Sequence, residues 1–510
     1  MRFRRTTALV VFGWVTISLA CKLSAPTPVA WIGTPTAEVR ARTQTAFAST
    51  RSAELTAMPT LPPIQTETAT QTAAITPSPP PKEDGPWLLY PGKDGTSLHA
   101  YDLDAGIDTL LELPPLVNLT DLSDGLSPDE NLLLLRAGRE EILDELGLYA
   151  IKNPLEGVTQ ISPLLSIFLQ RDIVNKIDEN APQALLAVSQ DHGIAWSNDG
   201  QLVAFTAGLD GGLSDIYLYD LSNKTIERMT SRHWQNLLPF WSPNNNWLIF
   251  QETYAFSQQT GWKPAAVFDV SLATFPNSRV LYTPSEDSLG EVMVDWINEE
   301  IFLSYSRSTA GGFDLRLVDV KIEKNALLYE ANFSSVAFDP LNNTIALLID
   351  NQDAADNSLS PGIYTAKNEG EMLTRLLFGN YSSLVWSEEG QLFSATGPNG
   401  ITLFDKDGVV LTLLNEQSLA FSPGKNWLLA WNNSGAKPGL RLYTAQGALL
   451  QTITEMPINQ IIWQPDSKGF FIVTPDGLYH VSFPLLNPVM INEDIYQGQD
   501  FHSTWLPEIP

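Results

Sequence analysis

One stretch constrains this chain more than any other: residues 193–223, GIAWSNDGQLVAFTAGLDGGLSDIYLYDLSN. Ser197-Asn198-Asp199-Gly200 is a reversal, because Asn, Asp and Gly supply the backbone freedom and local hydrogen bonds a tight turn needs. Leu202-Val203-Ala204-Phe205 is a continuous apolar run, as expected of a strand buried on both faces. Ile216-Tyr217-Leu218-Tyr219 is a second strand ending at Asp220, and Ile226 to Thr230 is a candidate for another. Four strands in about 40–45 residues is the size of one propeller blade.

The unit recurs. The ten residues from Trp196 to Phe205 align with LSPDENLLLL at 126–135, WSPNNNWLIF at 241–250, WINEEIFLSY at 296–305 and FDPLNNTIAL at 338–347. They also align with WSEEGQLFSA at 386–395, FSPGKNWLLA at 421–430 and WQPDSKGFFI at 463–472. Anchor spacings from Trp196 onward are 45, 55, 42, 48, 35 and 42 residues. The second half recurs as LHAYDLDAG at 98–106, LRLVDVK at 315–321, ITLFDKDG at 401–408 and LRLYTAQG at 441–447. Trp196, Trp241, Trp296, Phe338, Trp386, Phe421 and Trp463 are therefore expected as structural anchors, one per unit. Trp247 and Trp427 share a second repeat position and are also read as structural.

Trp-Ser-Pro-Asp-Gly, then Ile-Ala-Phe, then Ile-Tyr-x-x-Asp-Leu resembles the repeat of TolB-type β-propellers. The propellers of dipeptidyl-peptidase-type proteins are similar. The resemblance spans about 420 residues. It implies an all-β propeller of four-stranded blades, and such propellers often serve as interaction or ligand-binding platforms. Fold alone does not choose among activities.

Trp87-Leu88-Leu89-Tyr90 and Leu98 to Leu103 look like strands of a unit whose anchor is missing. Ser503-Thr504-Trp505-Leu506-Pro507 looks like an anchor, Trp505, with no strand after it. The C-terminal strand is therefore expected to complete the first blade and close the ring. Counting 87–112 gives nine units; the expectation is eight blades, within a range of seven to nine, with one unit irregular. The 70 residues between the copies at 126 and 196 are too many, and 162–190 has helical periodicity, so a small helical insertion is expected there. Shorter insertions are expected at 251–264 and 350–361.

The N-terminus is of another kind. Arg2, Arg4 and Arg5 precede an apolar run of 13 residues from Ala8 to Ala20. A membrane span needs about 20, whereas a signal peptide needs no more than this. Cys21 follows directly and is the only cysteine, which excludes an intramolecular disulfide. Residues 1–21 resemble a bacterial lipoprotein signal, implying lipid attachment at Cys21. Ser18 stands where that pattern prefers Leu, so cleavage elsewhere or an uncleaved anchor stays open. Residues 22–85 are rich in Thr, Ala, Pro and Ser, cannot bury a core, and are read as a disordered stalk of about 40–50 Å. The propeller is assigned to 86–510.

Net charge is −28. Residues 1–85 hold eight Lys/Arg against five Asp/Glu, so the remaining chain carries −31. Nucleic acid and anionic surfaces are excluded as partners of so acidic a domain. One Cys and five unpaired His argue against zinc. Asp350, Asp353 and Asp356 form a weak calcium candidate without EF-hand spacing. No G-x-S-x-G elbow appears, so hydrolase chemistry of the dipeptidyl-peptidase kind is not expected. His233, Trp234, Trp262 and Trp431 lie off the repeat and are candidates for a stacking surface. No cofactor is expected. The reading is a lipid-tethered extracytoplasmic monomer that acts as a protein-interaction scaffold without catalysis. A small-molecule or glycan sensor is the alternative, and a propeller lyase or hydrolase is a remote one.

Overall fold

A computed structural model describes residues 85–139, 145–165, 193–210, 213–231, 234–257, 261–271, 278–284, 288–308, 313–331, 333–339, 344–349, 359–367, 373–387, 391–424, 426–433, 438–498 and 500–508. It is a propeller with eight four-stranded antiparallel blades. Blade I contains Trp87–Pro91, Leu98–Asp102, Ile107–Leu110 and, innermost, Thr504–Leu506. Blade II contains Ile194–Trp196, Leu202–Ala207, Asp215–Asp220 and Thr225–Arg228. Blades III to VIII follow at 235–282, 288–331, 333–378, 383–414, 418–454 and 460–492. Between blades I and II lies a smaller three-stranded sheet, Leu133–Ala137, Gly147–Ile151 and Thr159–Pro163. Its innermost strand is reduced to one bridge, Leu126 to Leu133. This is the irregular ninth unit of the sequence repeat.

The continuous apolar runs are explained by their two buried faces. In blade II, Val203 and Phe205 pack toward the small sheet while Ala204 packs toward blade III. The same alternation gives nine apolar clusters among the described residues, each between neighbouring sheets. The last joins blade VIII to blade I through Phe471, Val473, Leu88 and Tyr90. The ring is closed by Thr504–Leu506, which pairs antiparallel with Trp87 to Leu89.

Three anchors are followed by the same turn. The Ser197 hydroxyl donates to Asp199 Oδ1 at 2.7 Å and accepts from the Leu202 amide at 2.9 Å. Ser127 and Ser242 repeat both bonds, with Asp129 and Asn244 as acceptors. The fourth residue after the anchor is left-handed at Glu130, Gly200, Asn245 and Ser467, where φ is 58–68°. Gly and Asn take that conformation readily, whereas Glu and Ser are strained in it. Three of the anchors then reach back to the preceding unit. Trp196 Nε1 donates to the Gly125 carbonyl at 2.8 Å, Trp241 Nε1 to Ala195 at 3.0 Å, and Trp505 Nε1 to Trp463 at 3.0 Å. Trp296, Phe338 and Trp463 are buried, while Trp386 and Phe421 are only half-buried.

Two expectations need correction. The helical insertion does not begin at 162: Ser162 and Pro163 belong to a strand, and Leu164 and Leu165 are core. The rest of that stretch, from 166, lies outside the described residues. Residues 251–264 are not a separate insertion but an extension of the hairpin Trp247–Ser257 and Gly261–Ser271 in blade III. A short helix that the repeat did not announce, Asp121–Asp124, joins blade I to the small sheet. Asp121 holds the buried Arg136 guanidinium at 2.8 Å.

Candidate functional site

The two faces of the ring differ. Strands alternate in direction, so the first-to-second and third-to-fourth turns of every blade emerge on one face, here the lower. The second-to-third loops and the blade-to-blade connections emerge on the other, the upper. The lower face is mostly the tight turns just described. Among the described residues, 111–125 and the blade III hairpin are on the upper face, and the connections that leave the strands at Leu165 and Ile349 start there. That hairpin has strands of eleven residues where blade II has six. Five more residues at about 3.3 Å each carry it roughly 16 Å past the rim.

At the foot of this hairpin, between blades II and III, lies a buried polar cluster. Asp215, the first residue of its strand, is 1% exposed. Its Oδ1 accepts from Thr230 Oγ1 at 2.7 Å and Asn236 Nδ2 at 3.0 Å, while Arg228 donates to Oδ2. Gln235 Oε1 accepts from the Ser214 amide and hydroxyl at 2.7 and 2.8 Å. Burial pushes the Asp215 carboxyl up, against the lowering pull of Thr230, Arg228 and Asn236. Asn236 Oδ1, Thr206 Oγ1 and Arg228 Nε are buried without a hydrogen-bond partner among the described residues. A buried polar group in that state costs about 1–3 kcal/mol unless water or a ligand meets it. Trp234, 47% exposed, lies beside the cluster, and its carbonyl accepts from Asn236 Nδ2. This arrangement leaves hydrogen-bonding capacity at buried Asn236, Thr206 and Arg228 atoms, close to an exposed indole.

The predicted stacking set is divided by the structure. Trp234 is beside this cluster. Trp262 is on the backbone of the blade III hairpin, opposite Phe256, on the same face of the ring. Trp431 does not belong with them: it is buried between blades VII and VIII against Leu440 and Trp463. Its strand Trp427–Asn432 is buried on both faces, and Trp431 shares with Leu429 the one packed on blade VIII, which is why the reading of it as a surface residue fails. His233, Cys21, Asp350, Asp353 and Asp356 lie outside the described residues. The sequence did not expose the polar cluster, because its members are spread over the 31 residues from Thr206 to Asn236 and each reads as an ordinary loop or strand residue.

A second polar group spans the seam where the ring closes. Asp108 accepts from Tyr90 Oη at 2.8 Å and bonds His99 Nδ1 at 3.0 Å, and Asn492 Nδ2 of blade VIII donates to Tyr90 Oη and Asp108 Oδ2 at 2.9 Å. Tyr90 stacks on His99 with centroids 5.2 Å apart. Burial, then the Asp108 charge, raises the Tyr90 phenol far above its ordinary value. Together with Lys93–Asp494 at 2.9 Å, these bonds fasten blade VIII to blade I. Among the described residues no group of three or more His, Cys, Asp or Glu is disposed to hold a metal, and no helix is long and apolar enough to cross a membrane.

No model of a known protein family matches this chain, and no curated protein does. Solved structures match the fold. A eukaryotic initiation factor is 10% identical over 84% of this chain and 99% of its own, with a TM-score of 0.53. The dipeptidyl peptidase 4 of Porphyromonas gingivalis is 13% identical over 77% of this chain and 65% of its own, at 0.45. An oligogalacturonate lyase in complex with manganese is 14% identical over 55% of this chain and 84% of its own, at 0.34. At such identities the likeness is one of fold alone, and the chain is a β-propeller.

Proposed function

We propose that this chain is a binding propeller of the TolB-like kind, which takes a protein partner on its upper face and carries out no catalysis. The observation that carries this reading is that, among the described residues, the strand ends leading into the long connections share that face, above a polar cluster with unmet hydrogen-bonding atoms. A rigid ring presenting variable loops is the usual arrangement for recognition. A second reading, a small hydroxylated ligand such as a glycan, is favoured by half-exposed Trp234 beside Arg228 and Asn236. The test places a photo-crosslinking amino acid at Trp234 or, on the lower face, at Asn223. Protein adducts from Trp234 alone are expected. Equal adducts from both positions, or none from either, would remove the proposal; labelling by a glycan probe without protein adducts would favour the second reading.

The tether belongs to the same proposal. Diacylglycerol on Cys21, with a further acyl chain, suffices for stable anchoring outside a membrane, and residues 22–84 hold the ring away from it. Cys21→Ser should shift the protein into the soluble extracytoplasmic fraction or leave it unprocessed. Membrane retention at unchanged mass in that variant would count against the anchor.

A further inference from the structure

A groove opens on the lower face between blade I and the small three-stranded sheet. Its lining includes Trp87, Ala100, Asp102, Ile107, Pro154 and Leu155. Asp102 and Ile107 flank the third-to-fourth turn of blade I, and Pro154 and Leu155 belong to the matching turn of the small sheet. The floor is apolar and covered, with Trp87 and Ala100 each 2% exposed. The lips are apolar and open, with Ile107 at 39% and Leu155 at 50%.

The occupant follows from where the chain enters the ring. Trp87 begins the second strand of blade I, so the residues before it arrive on this same face. The Gly85 amide donates to Asp102 Oδ2 at 3.1 Å, on the groove wall. A Cβ at Gly85 would stand 2.6 Å from the Trp87 ring, so the backbone there already lies against the indole. Its φ of +92° is a turn that glycine makes without strain, and it redirects the incoming chain. Just upstream, residues 77–81 read Pro-Ser-Pro-Pro-Pro. Proline fixes φ, so such a run is extended before it binds and loses little entropy on docking against apolar and aromatic walls. Pro81 is four residues from Gly85, a reach of about 12 Å at ~3.1 Å per residue. On so short a connection the effective concentration is of order 1 mM. A partner's peptide, or the stalk of a second copy, would have to exceed it.

We propose that residues 77–81 dock in this groove of their own chain as a strap. The strap fixes the direction in which the stalk leaves the ring, at the lower turn of blade I, and shortens the free stalk to 22–76. It depends neither on the upper-face reading nor on lipid at Cys21. An intrinsic affinity of about 0.1 mM would leave roughly ten docked straps for each free one.

The test is limited trypsin digestion of the exported full chain carrying Cys21→Ser, which removes the acyl chains and the sole thiol. Cleavage after Lys82 is read against cleavage after Arg51, farther up the stalk. Ile107→Ser with Leu155→Ser should raise that ratio about tenfold, while Leu413→Ser on blade VI should leave it unchanged. Thermal melts check that the variants remain folded. An unchanged ratio in the groove variant overturns the inference, as does an equal rise in the blade VI variant. Protection of Lys82 that grows with protein concentration also overturns it, in favour of the stalk of a second copy. An intact groove gives a second measurement. In the thiol-free chain, Pro79→Cys should form a disulfide faster with Leu155→Cys than with Asp104→Cys. Asp104 is also near the entry, since its neighbour Leu103 bonds the Pro86 carbonyl at 3.0 Å, but it is outside the groove. Equal rates for the two pairs would show a chain that does not dock.

Discussion

His480 shows what a single residue can be assigned once its neighbours are known. Among five scattered histidines the sequence could only note that none was paired. In the fold its ring stacks on Phe471 at 4.7 Å, and Gln464 Nε2 lies 2.8 Å from His480 Nε2. The amide can only donate, so Nε2 must be unprotonated, and burial lowers the ring's pKa. In the unfolded chain an imidazole titrates near 6.5 (roughly). Below that value the unfolded state takes up a proton that the folded state refuses until its own lower pKa is reached. Stability from this residue is thus fully present above about pH 7 and is lost as pH falls through ~6.5 toward that lower value. The urea midpoint should fall between pH 7.5 and 5.5, and fall less in His480→Gln. Identical pH slopes in the two proteins would refute the assignment. Gln464 occupies the place that Ser197 holds in blade II, so the repeat itself concealed this pair.

At the scale of elements, the strand Thr504–Leu506 carries the most weight for its size. It pairs with Trp87 to Leu89, buries Leu506, and sends the Trp505 indole to blade VIII. Without it, Trp87–Pro91 would become an inner edge facing the centre of the ring. Removing residues 498–510 should lower the melting temperature sharply and promote aggregation through the exposed edge. Trp505→Ala should cost about 2–3 kcal/mol, below the ~3–5 of a fully buried Trp, because its ring is only half-buried. A truncated protein that melts like the full one would mean the ring is held by its side-chain clusters alone. This element was legible beforehand, since an anchor without strands at one end answered strands without an anchor at the other. The short helix Asp121–Asp124 was not legible: four residues have no periodicity to detect, and its place is set by Arg136 in another strand.

For the molecule as a whole, the sequence alone determined the architecture. A turn, an apolar run and an aromatic anchor, repeated at blade spacing, leave no other way to bury both faces of every strand. Ring closure followed from the same pattern, and composition fixed the net charge at −28. Which connections share a face of the ring was decided only by the tertiary structure. The connections that begin after Leu165, Ser257 and Ile349 are far apart in the chain, and the alternation of strand direction starts all of them on one face. The polar cluster around Asp215, the burial of Trp431 and the groove beside Trp87 are likewise properties of neighbouring sheets. Periodicity within a strand says which side chains turn inward. It cannot say what the next blade brings against them, because those contacts join residues whose separation in the chain carries no physical signal.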